Sequence, residues 1–453
     1  MKKIFILFTI CQALVNAYQY NVYDMNGKKQ GSFYGIVDKN TLARIIKEYH
    51  SSILVKKGAP NEANINKFAN LNQHNLALTS LVDKNIDITK DSLVKNLWFE
   101  VEKNEIVKIC LNSKVSAWET LLDAQVINDS CLIFQASTLI GTEVLKIYLP
   151  QTDTFHKVNL AVGMKYLDFK NEDMLLGSFD LEDEDPKRLI SVNSTYLVDK
   201  YPVTNCEITQ QMWDNIPSPK ALQDNEINKL TKKWINRKYS SIYKDICPLH
   251  DSATSTISLY QALKYANKRS ISDGLKPFYK FSTTQINQTQ ILSKGQYIIS
   301  YFDFSTHKDS HIQVSVDYTS DGYRLPFYDE WMMLARGGDK KNDVPWDKHA
   351  TDKEIAKYAK FGRVNEYDET GPVGQLKPNG YGLYDIFGLV KEHVLFEQLN
   401  PFNYLLNIYS KESPSCFKGG SIHDNWENIN YGYISPNYHS TNLGGFRLIR
   451  KIK

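Results

Sequence analysis

The six cysteines are the residues of this 453-residue chain best suited to redox or soft-metal chemistry. Cys11 lies in an apolar leader, and Cys110, Cys131, Cys206, Cys247 and Cys416 follow it. No C-x-x-C occurs, and no His/Cys cluster has zinc spacing. In an oxidising compartment such cysteines pair. Cys110 with Cys131 would close a hairpin-like loop and Cys206 with Cys247 a second one, leaving Cys416 as an odd thiol, although spacing alone does not fix connectivity. His307 and His311 stand four apart, but one metal could use both only from a helix. Their stretch reads as loop and strand, and so as a solvated segment. Arg324, Glu330 and Arg336 suit an ion network at least half-buried, because the planar guanidinium holds two carboxylate oxygens at once.

The elements that must position these groups change character along the chain. Lys2-Lys3, the apolar run Ile4 to Leu14 and Val15-Asn16-Ala17 have the order of an export signal over residues 1–17, cleaved after Ala17. Its removal lowers the formal charge from +3 to about +1. No basic stripe remains, which argues against nucleic acid as a partner. No run approaches the ~20 apolar residues of a transmembrane helix. Residues 18–93 begin with alternating residues around Asn26-Gly27, a two-residue hairpin signal, and continue as a polar region with helical stretches such as Thr41 to Tyr49. Residues 94–170 carry short strand-like runs, among them Leu97–Val101, Ile106–Cys110 and Val144–Leu149, and read as a small β-sandwich-like module. From about residue 172 onward Trp, Gly and Pro punctuate irregular backbone. Trp331 and Tyr265 fall on apolar helix faces and read as core.

Six blocks follow in order. They are Met174–Phe179; Tyr196–Asn205 (YLVDKYPVTN); Ile257–Ala262 with Tyr265-Ala266-Asn267; Tyr323–Pro326 leading to Glu330-Trp331 and Ala335–Gly338; Pro372-Val373-Gly374 with Lys377–Asp385 (KPNGYGLYD); and Lys418–Ser421 with Gly445-Phe446-Arg447. Over residues 172–453 the chain resembles the formylglycine-generating enzyme (sulfatase-modifying factor) family. The resemblance implies an α+β, loop-rich, C-type-lectin-like fold, preceded here by the small β-rich domain. It places Arg324, Glu330, Trp331, Arg336, Asn379, Gly420 and Arg447 in the structural motif that holds the fold.

The chemistry implied by the resemblance is oxidation of a substrate cysteine to an aldehyde by dioxygen, at copper(I) held by two cysteines after the Gly-Gly-Ser block. Counted forward from Gly420-Ser421, that pair falls on Ile429 and Ile434, and residues 417–453 contain no cysteine. Copper is therefore not expected, because copper(I) prefers soft thiolates. The family's calcium chemistry is thinned as well. Leu389 stands where the family has an asparagine, and a remaining calcium site would draw on Asn365, Asp368 and Glu392, which supply hard oxygens. No other cofactor is expected. A related branch uses a three-histidine iron site, but His250, His393, His423 and His439 are scattered along this chain. The segment that lines the family's substrate groove carries His423, Trp426, Tyr431, Tyr433 and Tyr438, a set able to take a ligand by stacking.

The sequence thus describes an exported chain, periplasmic, cell-surface or secreted, whose Lys-, Asn- and Ile-rich composition points to a bacterial source. Its expected role is binding or structural assembly with a protein or glycan partner, by analogy with bacterial surface proteins that keep this scaffold without the cysteines. The two rival readings are an oxidase with a rebuilt site and a carbohydrate-binding module.

Overall fold

The computed structural model describes residues 18–24, 29–35, 52–56, 83–87, 98–111, 117–119, 125–127, 130–137, 139–149, 154–177, 188–208, 250–255, 257–285, 295–303, 308–339, 344–347, 349–362, 370–397, 415–425, 429, 435–436 and 444–452. The chain divides into two compact units. The first comprises residues 1–138, 142–160 and 243–246, and the second 139–141, 161–242 and 247–453. Among the described residues no helix is long and apolar enough to cross a membrane. The leader, the stretch Thr41 to Tyr49 and His307 lie outside the described residues.

The first unit opens with β1 (Tyr18–Asp24) and β2 (Lys29–Gly35), which pair antiparallel on either side of Asn26-Gly27. The register shifts between Val22 and Tyr23, and Tyr23 pairs with Lys29; Asn26-Gly27 itself lies outside the described residues. β3 (Ser52–Lys56) adds to the other edge of β1. There follow β4 (Lys84–Asp87), β5 (Trp98–Val101), β6 (Ile106–Cys110), β7 (Ala117–Glu119), β8 (Gln125–Ile127), β9 (Cys131–Gln135), β10 (Gly141–Leu149) and β11 (Thr154–Val162). They form two four-stranded sheets, β4-β6-β9-β8 and β5-β11-β10-β7. Leu145 and Ile147 on β10 are fully buried while Val144 is exposed, the period-two alternation of a strand with one face to the core. Cys110 and Cys131 stand opposite each other in β6 and β9 and are disulfide-bonded. The bond therefore ties two neighbouring antiparallel strands, with β7 and β8 inside the loop it closes.

In the second unit β12 (Met164–Leu176) and β13 (Arg188–Asp199) form a long antiparallel ribbon. A register shift between Phe169 and Glu172 leaves Asn171 at φ +56°, a left-handed position that asparagine tolerates. α1 (Leu259–Ser272) starts at a capping box in which the Ser258 hydroxyl accepts from the Gln261 backbone and the Gln261 side chain accepts from the Ser258 N–H. β14 (Tyr279–Gln285), β15 (Gln296–Asp303) and β16 (Lys308–Val316) form a sheet in the order β14-β16-β15. His311 therefore lies on a strand, opposite Ser300. α2 (Tyr328–Arg336) and the single turn α3 (Asp352–Ile355) precede β17 (Glu392–Leu395), β18 (Ser415–Lys418) and β19 (Ser435–Pro436), which form a further sheet. The last strand, β20 (Ile449–Ile452), returns to pair with β13. The main core packs Trp331, Met332, Phe387, Val394, Cys416, Ile429 and Ile449 with the inner face of the ribbon.

Candidate functional site

The motif residues build their environment around α2. Its first turn is capped from inside the helix, where the Glu330 carboxylate accepts the Phe327 N–H at 2.9 Å. The same carboxylate takes both arms of Arg324, each at 2.6 Å, and the Tyr196 hydroxyl at 3.0 Å. Burial would raise the Glu330 pKa, but the Arg324 guanidinium and these donors hold it below the usual carboxylate range. Arg336 does not complete this network as expected. Six residues along a helix amount to about 240° of rotation from Glu330, so Arg336 points elsewhere and donates to the Gly177 carbonyl at 2.9 Å.

At the other end of α2, Gly337 takes φ +61°. Asn379 donates to the Leu334 and Ala335 carbonyls at 2.8 and 3.2 Å, supplying partners the helix end lacks. Gly380 lies so close that a Cβ there would sit 2.1 Å from the Gly337 carbonyl oxygen. These contacts explain the Ala-Arg-Gly-Gly and Lys-Pro-Asn-Gly blocks as two halves of one joint.

Beneath α2 lies a second ion pair. Glu392 on β17 accepts from Arg447 Nε at 2.8 Å and Nη2 at 2.7 Å, and from Trp331 Nε1 at 2.8 Å. All three residues are essentially fully buried. Glu392, proposed above as a calcium ligand, therefore has the Arg447 guanidinium as the positive charge at its carboxylate. Arg447 also donates to the Tyr384 carbonyl at 2.8 Å, which joins the Gly-Phe-Arg block to the Tyr-Asp block. A third pair escaped the sequence reading. Arg269 on α1 and Asp199 on β13, both fully buried, are joined by two hydrogen bonds of 2.8 Å.

Next to this scaffold lies the segment that the resemblance makes functional. Gly419 and Gly420 have φ +82° and +68°, and a Cβ on Gly419 would come within 2.5 Å of the Ile386 carbonyl oxygen. Ser421 then donates through its N–H and its hydroxyl to Asp424 Oδ2 at 2.8 and 2.7 Å. His423 is exposed on this turn. Ile429 is fully buried in the apolar core. Cys416 is a buried thiol on β18. Lys418, on the same face two residues on, is fully buried with its ammonium 4.7 Å from the Tyr328 ring centroid. Trp426, Tyr431, Ile434, Tyr433 and Tyr438 lie outside the described residues, as do Asn365, Asp368 and Cys247, while Cys206 is disulfide-bonded. Among the described residues no group of three His, Cys, Asp or Glu is placed to hold a metal ion.

Leu389 adopts φ +56°, a strained conformation for a bulky residue. It is fully buried against Tyr201, Ala253, Val373, Val390 and Ile422. Its N–H donates to the Lys360 carbonyl at 2.9 Å, and its carbonyl accepts from Ile422. Apolar packing and backbone hydrogen bonds hold this turn. His393, two residues beyond Lys391, is also fully buried. Its Nε2 lies 2.8 Å from the Ile257 carbonyl, and its ring packs on Phe417 at 4.4 Å. Burial pushes its pKa down to about 4, with the nearby Lys391 ammonium acting in the same direction.

Residues 151–452 match the model of the sulfatase-modifying factor enzyme 1-like domain, FGE-sulfatase. Over 149 residues the chain is 30% identical to the "Chaperone protein LppX" of Paenibacillus barcinonensis, covering 30% of this chain and 49% of that protein. Over 79 residues it is 35% identical to the formylglycine-generating enzyme of Thermomonospora curvata, covering 16% of this chain and 26% of the enzyme. The matches thus span about half the length, or less, of these curated relatives. Among solved structures, Treponema denticola variable protein 1 is similar at 20% identity and a TM-score of 0.40, over 73% of this chain and 99% of that one. CarF is similar at 18% identity and a TM-score of 0.38, over 64% of this chain and 98% of its own.

Proposed function

Because the chain belongs to the sulfatase-modifying factor enzyme 1-like family, we propose that it is an exported member of that family that has kept the scaffold, lost the oxidation chemistry, and acts by binding or structural assembly. The observation that carries this reading is the donor set. Residues 417–453 offer no thiolate, and Ile429 is packed into the apolar core. A branched hydrocarbon cannot ligate copper(I), which takes soft sulfur donors. The redox step of such chemistry belongs to the metal, and the protein can only position it. The glycines, Asn379 and the buried Arg–Glu pairs are all accounted for by holding the fold.

Export rests on the leader at residues 1–17, and the C-type-lectin-like relationship of the fold rests on the resemblance. The name borne by the Paenibacillus relative, a chaperone protein, accords with a role in handling another macromolecule. The ligand would be a peptide or a glycan taken by the aromatic segment of Trp426, Tyr431, Tyr433 and Tyr438 beside His423. Calcium would have to be held by Asn365 and Asp368, because Glu392 is neutralised by Arg447 and Leu389 offers no side-chain oxygen.

Competition of the exported protein against a calibrated copper(I) chelator tests the donor argument. No copper is expected to be withdrawn from the chelator, and one equivalent withdrawn per chain would overturn the reading. The same preparation on a peptide and glycan array should retain a discrete set of ligands, whose binding is lost on replacing Trp426 and Tyr431 by alanine.

A further inference from the structure

The Cys110–Cys131 bond joins residues that the sheet already holds side by side. β6 and β9 pair antiparallel from Ile106 with Gln135 to Cys110 with Cys131. The Leu111 N–H donates to the Ser130 carbonyl at 3.0 Å, and the Ala136 N–H to the Glu105 carbonyl at 2.8 Å. Hydrogen-bonded pairs therefore fall at the odd-numbered positions of β6, and Cys110 with Cys131 is a non-hydrogen-bonded pair. The Cα atoms of such a pair stand about 4.5 Å apart, at the short end of what a disulfide spans, against a commonest value of roughly 5.5–6 Å. The ladder sets this separation, and a disulfide made to fit it is the more easily reduced. One end is also within reach of solvent, since Cys110 is half-buried while Cys131 is buried. The Ser130 hydroxyl lies 4.0 Å from Cys131 Sγ, where it can donate to a thiolate formed there.

What the bond restrains is the chain between the two cysteines. That chain leaves β6, supplies β7 to one edge of the sheet β5-β11-β10-β7, and returns as β8 at the edge of the sheet β4-β6-β9-β8. Both strands are three residues long. β7 pairs with β10, and β8 with β9, over three residues each. Short edge strands have few ladder bonds to hold them, so the disulfide is the clamp at the base of this excursion. The β6–β9 ladder, with five paired residues on each strand, does not depend on it.

We propose that Cys110–Cys131 is a thiol–disulfide exchange site through which an external dithiol loosens the excursion between β6 and β9. A thiolate of the dithiol attacks Cys110 Sγ, the bond between the cysteines breaks, and Cys131 leaves as a thiolate with the bonding pair. The second thiol of the reductant, once deprotonated, attacks the mixed disulfide and displaces Cys110. Both cysteine thiolates take up the protons that the dithiol gave up. The dithiol ends as a disulfide, oxidised by two electrons, and the cysteine pair ends as two thiols. The β6–β9 ladder persists, so reduction frees β7 and β8 from their clamp without dissolving the sheet. This site is independent of the binding role proposed for the second unit.

The test equilibrates the full, oxidised chain with graded ratios of reduced to oxidised dithiothreitol at about pH 7, quenches with N-ethylmaleimide, and reads each cysteine by peptide mass spectrometry. The disulfide of the buried Cys206 is the internal reference. Cys110–Cys131 should be half-reduced at a ratio at least about ten-fold lower than that reference, a difference of about 30 mV for two electrons. Brief exposure to glutathione should leave the glutathione on Cys110 and the maleimide on Cys131. At a ratio that reduces this pair alone, amide hydrogen exchange should rise at least about ten-fold in β7 and β8 and stay slow in β6. Reduction of the Cys206 disulfide first or at the same ratio, glutathione carried on Cys131, unchanged exchange in β7 and β8, or loss of protection throughout β6 and β9 would each overturn the proposal.

Discussion

Replacing Glu392 by glutamine keeps the shape of the side chain and removes one charge from a pair that is shielded from water on all sides. The Arg447 guanidinium would keep its contacts to the Asp199 and Tyr384 carbonyls but lose the carboxylate that balances its charge. Trp331 Nε1 and Arg447 Nε would then compete for one amide oxygen. Breaking a buried pair by removing one partner costs about 3–5 kcal/mol, because the remaining charge is left without a counter-ion. We therefore expect Glu392→Gln to lower unfolding stability by at least about 3 kcal/mol in guanidinium titrations followed by tryptophan fluorescence. The double variant Glu392→Gln, Arg447→Met should be less destabilised than the two single changes added together. The loss should be the same in EDTA as in millimolar calcium. A loss under about 1 kcal/mol, or one that appears only when calcium is present, would refute the assignment of Glu392 to Arg447.

Three further outcomes follow from the same geometry. His393 has a folded-state pKa near 4 against about 6.5 unfolded, so the unfolded chain gains the proton first as pH falls. Stability is fully retained above about pH 6.5 and declines by roughly 3 kcal/mol on acidification to pH 4; a His393→Phe variant should show a flatter profile between pH 6.5 and 4.5 in the same titrations. Gly380→Ala places a methyl against the Gly337 carbonyl oxygen and should cost about 2–3 kcal/mol by overpacking, read as a shift in the denaturation midpoint. Thiol titration of the exported, unreduced and denatured chain should find about one reactive group, Cys416, since Cys110, Cys131 and Cys206 are disulfide-bonded.

Much of the scaffold was legible because its determinants are local. Asn26-Gly27 lies between two strands that do pair antiparallel. Trp331 and Tyr265 sat on apolar helix faces and are buried in the core. The Arg324–Glu330 pair could be read from a short motif, but Arg336 could not be placed, because adjacency in a motif says nothing about which side of a helix a residue faces. The partners of Arg269 and Arg447 were hidden by distance along the chain. Asp199 lies 70 residues from Arg269, and Glu392 lies 55 from Arg447, and neither separation leaves a periodic signal. The residue type of Glu392 suits calcium, and the Arg447 guanidinium that stands beside it is hidden for the same reason.

The central claim is that this family scaffold works without the family's oxidation. The most direct measurement incubates the exported protein with a sulfatase-type Cys-x-Pro-x-Arg peptide in air, with and without copper(I), and follows the peptide by mass spectrometry for loss of the thiol and gain of the aldehyde. No aldehyde above the no-protein control is expected under either condition, because residues 417–453 provide no thiolate to hold the metal. Copper-dependent conversion of the peptide would contradict the account and return the search for ligands to Cys206, Cys247 and Cys416.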